Sequence, residues 1–143
     1  MSSNLRSQFR LAIAAILLLL PLQFVAGMLA NLYVPIPEPL PTGEGWSWSF
    51  AHSTVIPVHM LIGTLLLVLS LVAIELGLWA SSRRAVTTAI AGFVCVGVAY
   101  LSGMWFLTYG QSDFSSFLMA LGFMGACVAY GVGFYVTRPE AGT

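Results

Sequence analysis

Charge is what this sequence has least of. Asp, Glu, Lys and Arg together make up 7% of its 143 residues, against roughly 25% in an ordinary soluble domain. So few charged side chains cannot cover the surface of a water-soluble fold, so lipid must be the solvent for most of it. Lysine is missing altogether, and all the basic residues are arginines. That excludes a retinal-type Schiff base and a lysine nucleophile. The formal net charge is zero, so there is no basic face for nucleic acid. The cysteines, Cys95 and Cys127, lie inside apolar runs and form no CxxC or other metal-type spacing. They read as small buried hydrophobes, with a disulfide open only if two helices bring them together. No P-loop, HExxH or GxGxxG pattern is present. No Ser-His-Asp or Cys-His set falls on one side of the expected membrane either, so enzymatic acid–base chemistry has few tools here.

Apolar residues, by contrast, make up 59% of the chain, and they come in runs. A membrane-crossing helix needs ~20 mostly apolar residues. Stretches at about 11–34, 54–80, 85–108 and 114–137 qualify. The expected fold is therefore all-α: a bundle of four transmembrane helices forming one integral membrane domain over residues 1–143. Pro35, Pro37, Pro39 and Pro41 end the first span, because proline lacks the N–H a helix needs. Ser81, Ser82, Arg83 and Arg84 separate the second span from the third. Gly110, Gln111, Ser112 and Asp113 separate the third from the fourth, and Ser112 or Asp113 can cap the fourth. The Pro-, Gly- and Trp-rich loop at about 35–53 is too small for a core of its own and suits a short ordered cap on the membrane surface.

The arginines set the orientation. Arg6, Arg10, Arg83, Arg84 and Arg138 all fall at the termini or in the second loop, whereas the first and third loops carry Glu38, Glu44 and Asp113. The positive-inside rule then places both termini in the cytoplasm of a multi-pass plasma-membrane protein, of bacterial type. Trp46, Trp48, Phe50, Trp105 and Tyr109 suit the outer aromatic belt, and Trp79 the inner one. Arg6 and Arg10 before an apolar run resemble the start of a signal peptide, but the run continues past Pro21 and is long enough to span.

Polar groups inside lipid are costly and mark candidate sites. His59 lies about five residues below the outer end of the second span, roughly 8 Å in at ~1.5 Å per residue. His52 is on the same face if that helix begins early enough, and Pro57 is tolerated in its first turn. Met28, Met60 and Met104 fall at comparable depth, with Gln23 deeper and Asn31 higher. Imidazole and thioether together are ligands for haem iron or copper, so His59, His52, Met28 and Met104 are the candidate cofactor ligands and His59 the candidate metal ligand.

Gln23-Phe24-Val25-Ala26-Gly27, then a polar outer loop, then His59 near the outer end of the next helix resemble one four-helix half of a haem A synthase, or a small b-type cytochrome. The likeness covers the first two spans. It implies haem b held by His59, but such families take a second histidine from another helix, and the third and fourth spans have none. A His–Met pair, a five-coordinate haem or ligation across a dimer would be needed.

Glu75 is the one acid inside a span and the candidate group for ion or proton movement; otherwise it snorkels inward or pairs with Arg83 or Arg84. Gly122, Gly125, Ala129 and Gly133 form a small-residue stripe, with Ala99 and Gly103 on the third span. Such stripes permit close helix contact. The leading expectation is an accessory or structural subunit of a larger membrane complex, in contact with lipid and with other subunits or copies of itself. The alternatives are a haem- or copper-binding electron-transfer or cofactor-handling module centred on His59, and a small oligomeric transporter using Glu75.

Overall fold

The computed structural model describes residues 3–37 and 41–138. Glu38 and Pro39 of the outer loop lie outside the described residues. The described residues form five helices: α1 (Ser3–Tyr33), α2 (Glu44–His52), α3 (Val55–Trp79), α4 (Arg83–Tyr109) and α5 (Asp113–Val136). Four of them, α1, α3, α4 and α5, are long and apolar enough to cross a membrane. The protein is thus an all-helical bundle with a multi-pass membrane character.

The bundle is a ring. α4 and α5 make the most extensive pair, α3 joins α1 on one side and α4 on the other, and α1 meets α5 along a thinner seam. That seam is held at two levels. Near the chain termini, the Arg10 guanidinium donates to the main-chain carbonyl of Phe134 at 2.8 Å and sits 4.1 Å over the same residue's ring. Further along, Phe24 and Phe123 stack at 5.2 Å. The start of α1 and the end of α5 therefore lie at one end of the bundle, and α2 lies at the other.

The burial pattern explains the ring. Phe9, Ile13, Ile16 and Leu20 line the inward face of α1 at alternating steps of four and three residues, the spacing that keeps one helical stripe facing inward. On α3 the buried residues Ile56, Gly63, Ser70 and Gly77 recur every seventh position, with Leu66 and Ala73 between. A seven-residue period is the seam of slightly supercoiled helices. Several of these positions are Gly, Ala or Ser, because in lipid close van der Waals packing holds helices together more than apolar burial does. The buried hydroxyls of Ser70 and Thr137 donate to their own helices, at Leu66 O (2.6 Å) and Gly133 O (2.7 Å). That satisfies them without a cross-helix partner.

Helix starts follow the local chemistry. The Ser53 side chain accepts from Ile56 N–H at 3.2 Å, and Pro57, third in α3, falls where no N–H is required. Ser112, not Asp113, caps α5, accepting from Ser115 N–H at 3.2 Å. α1 begins at Ser3 rather than near Leu11, because Phe9 is buried and Arg10 is anchored on α5. The tail of the expected outer loop is α2, a two-turn helix pinned across α4. Trp46 Nε1–H donates to Thr108 Oγ1 at 2.9 Å, and Gly43 N–H to Thr108 O at 2.9 Å. A Cβ at Gly45 would collide with the Leu107 carbonyl, so only glycine lets the two helices meet there.

Candidate functional site

His59 is the fifth residue of α3, about 6 Å along the axis from Val55. Its ring points at α1. Nδ1 lies 3.1 Å from the main-chain carbonyl oxygen of Gln23, and Nε2 lies 3.2 Å from the Gln23 side-chain amide nitrogen. A carbonyl only accepts, so Nδ1 carries the proton. Nε2 is then the lone-pair side and accepts from the amide. One residue of α1 thus satisfies both nitrogens of a neutral imidazole.

The glycines around this pair are part of it. A Cβ at Gly27, one turn beyond Gln23, would come within 2.8 Å of His59 Cε1. A Cβ at Gly63, one turn beyond His59, would lie 3.1 Å from the Gln23 amide nitrogen and 3.7 Å from Tyr100 Cδ2. The two missing methyl groups let α1 and α3 close on the two side chains. The Gln23 Oε1 atom is buried and has no hydrogen-bond partner among the described residues. An orphaned buried acceptor costs ~1–3 kcal/mol, so this atom is a strained point in a site otherwise fully paired. Thr64 Oγ1 and the Tyr100 hydroxyl lie 3.3 Å apart.

The other expected ligands are placed differently. α3 starts only at Val55, after an extended Ser53, so His52 does not share a helix with His59. It ends α2, exposed, with its ring stacked on Trp48 at 5.2 Å and its Nδ1 donating to Trp48 O at 3.0 Å. Met28 and Met104 are 40% and 39% exposed, on the outer surfaces of α1 and α4. The group brought to His59 is an amide. The lone pair that a haem iron or copper ion would take from His59 is engaged by Gln23, and no thioether is presented opposite it. Among the described residues no three His, Cys, Asp or Glu side chains come together as a metal site. In this arrangement the Gln23 amide, rather than a second ligand, faces the His59 lone pair.

Glu75 is exposed on α3, one turn before its end at Trp79, and has no hydrogen bond or ion pair among the described residues. A carboxylate at that depth reaches the interface by extending along the helix. Gly122, Gly125 and Gly133 of α5 face α4: Cβ atoms there would meet Cys95 O at 2.6 Å, Cys95 Sγ at 2.6 Å and Thr88 Oγ1 at 2.9 Å. Ala129 lies between them, half-buried. Both cysteines are free thiols. Deeper in the bundle, the wholly buried Tyr130 ring lies flat against Gly92, and its hydroxyl, near Ser70 and Cys95, makes no hydrogen bond of good geometry.

The Gln23–His59 pair was only half legible from the sequence. An amide and an imidazole in neighbouring spans were visible, but their pairing depends on the rotation of each helix about its axis. Gly27 and Gly63, each four residues on from a polar residue, were the available signal. Comparison with known protein families, with curated proteins and with solved structures finds no match for this chain.

Proposed function

We propose that this chain is a non-enzymatic accessory subunit of a larger membrane assembly. The observation that carries the reading is the engagement of His59. The most chemically capable side chain within the spans has both ring nitrogens held by Gln23, so in its neutral form it fastens α1 to α3 and offers no free lone pair to a metal or substrate. The α5 stripe is likewise consumed within the chain, against α4. What is left for a partner is the outer apolar surface, where large side chains such as Leu22, Val25, Leu29 and Leu32 of α1 are exposed. Membrane partners are recognised on such surfaces by packing and shape, because lipid tails are as apolar as the helices themselves.

The test is extraction of the tagged protein from its own membranes in a mild detergent at native abundance, followed by identification of what remains bound. The reading expects one or more larger membrane proteins in fixed ratio. A stable lone chain, or a chain carrying a haem or copper absorbance, overturns it.

A further inference from the structure

We infer that Gln23 and His59 form a two-state proton-binding site, in which the side-chain amide of Gln23 turns over when His59 gains a proton. The inference does not depend on the accessory-subunit reading. It rests on the polarity of the two contacts. In the neutral state the Gln23 carbonyl accepts from Nδ1–H, and the amide N–H donates to Nε2. A proton taken from water onto Nε2 converts that atom to a donor, and donor would then face donor across 3.2 Å. The atom that resolves the conflict is already present: Oε1 of the same amide, buried and, among the described residues, without a partner. Half a turn about the last side-chain bond brings Oε1 to Nε2–H. Gln23 then offers an acceptor at each ring nitrogen, the main-chain oxygen to Nδ1–H and Oε1 to Nε2–H. Both are charge-assisted hydrogen bonds, about twice as strong as neutral ones.

The space for the turn is provided. Gly63 has no Cβ, and one placed there would stand 3.1 Å from the amide nitrogen. An alanine would therefore crowd the rotation.

Among the described residues no charged group is paired with the ring. α1 carries no titratable side chain between Arg10 and Tyr33. α4 brings Tyr100, whose hydroxyl is beside Thr64. α2 brings Glu44 and His52 at its two ends, His52 being turned onto Trp48. On α3 itself the nearest ionisable group is Glu75, about 24 Å along the axis at ~1.5 Å per residue. His59 is within two turns of the α2 end of the bundle, so the proton exchanges with water at that end. Histidine is the side chain whose ordinary titration range makes this a usable signal. The two states differ in the atoms that fasten α1 to α3, so proton uptake is read directly by that helix pair.

The experiment is nuclear magnetic resonance on the full chain in lipid nanodiscs, with the histidine rings and glutamine side chains isotope-labelled, from about pH 8 to about pH 4, a range that brackets ordinary histidine titration. The expected result is a His59 ring protonated at Nδ1 alone at the alkaline end and at both nitrogens at the acidic end. The Gln23 amide signals shift with the same midpoint, while His52 titrates independently of them. In Gln23→Glu, whose carboxylate accepts at Nε2 and cannot donate, His59 should stay doubly protonated across the range. In the parent chain, three results overturn the inference: Gln23 signals that do not follow His59, a ring protonated at Nε2 alone at the alkaline end, or a ring that never gains its second proton. So does an unshifted His59 midpoint in Gln23→Glu.

Discussion

His59 of α3 is held by a single residue of α1: the main-chain oxygen of Gln23 lies 3.1 Å from its Nδ1, and the side-chain amide nitrogen of Gln23 lies 3.2 Å from its Nε2. A histidine fastened twice by one partner is a clasp between two helices. Its worth as a clasp is measurable. Interhelical hydrogen bonds in membranes contribute about 0.5–2 kcal/mol each. Gln23→Leu removes the Nε2 bond and keeps the main-chain bond, so it should cost about 1 kcal/mol. His59→Phe removes both and strands the Gln23 amide, so it should cost more. Unfolding titrations from mild into denaturing detergent rank the two, and equal stability of all three proteins would show that the clasp contributes nothing.

Gly27 is where the clasp meets the packing. Its absent Cβ would sit 2.8 Å from His59 Cε1, so Gly27→Ala should push the helices apart or the ring aside, at about 1–3 kcal/mol. Combining Gly27→Ala with His59→Ala removes the collision. The double variant should therefore be less destabilised than the sum of the two single changes. Strict additivity would place the ring elsewhere.

The α1–α5 seam is the thinnest contact in the ring and is bridged by Arg10 on Phe134. Arg10→Met keeps the length of the side chain but not the hydrogen bond or the cation–π contact. A loss of about 1–2 kcal/mol is expected. A cysteine pair across the same seam, introduced at Phe24 and Phe123 with Cys95 and Cys127 replaced by alanine, should be bridged by a short bifunctional thiol reagent, because those rings stack at 5.2 Å. Failure to crosslink would mean that α1 and α5 do not close the ring.

α2 should come loose when its anchor is removed. Thr108→Val abolishes the acceptor for Trp46 Nε1–H, a bond of 2.9 Å, at a cost of about 0.5–1.5 kcal/mol. Trp46 lies at the membrane surface on this account, so its fluorescence should shift to the red and its quenching by a water-soluble quencher should rise. Unchanged emission would detach Trp46 from Thr108.

The four long helices were legible because the sequence writes them as uninterrupted apolar runs with proline, serine and glycine between them. Their bounds moved most at α1. Arg6 and Arg10 read as a border, yet a helix can carry arginine past the apolar run when the side chain has an anchor, and Phe134 supplies one from the far end of the chain. α2 was hidden for a similar reason. A stretch of Gly, Trp and Ser has little helical preference of its own, and the contacts that order it come from Leu107 and Thr108 on another helix. The site divides the same way. His59 stood out as an imidazole in lipid, but depth along a helix is not direction around it. Met28 and Met104 matched His59 in depth and face outward, whereas Gln23, set deeper by sequence, faces the ring.

We propose that this bundle works by association, with His59 fastening it from within. Native mass spectrometry of the protein released from its own membranes tests it most directly. The expected spectrum is of one complex of defined mass, containing this chain in whole-number ratio with a larger membrane protein and adding no mass for haem or copper to this subunit. A spectrum of the lone chain, or of the chain with a bound haem or copper ion, would contradict it.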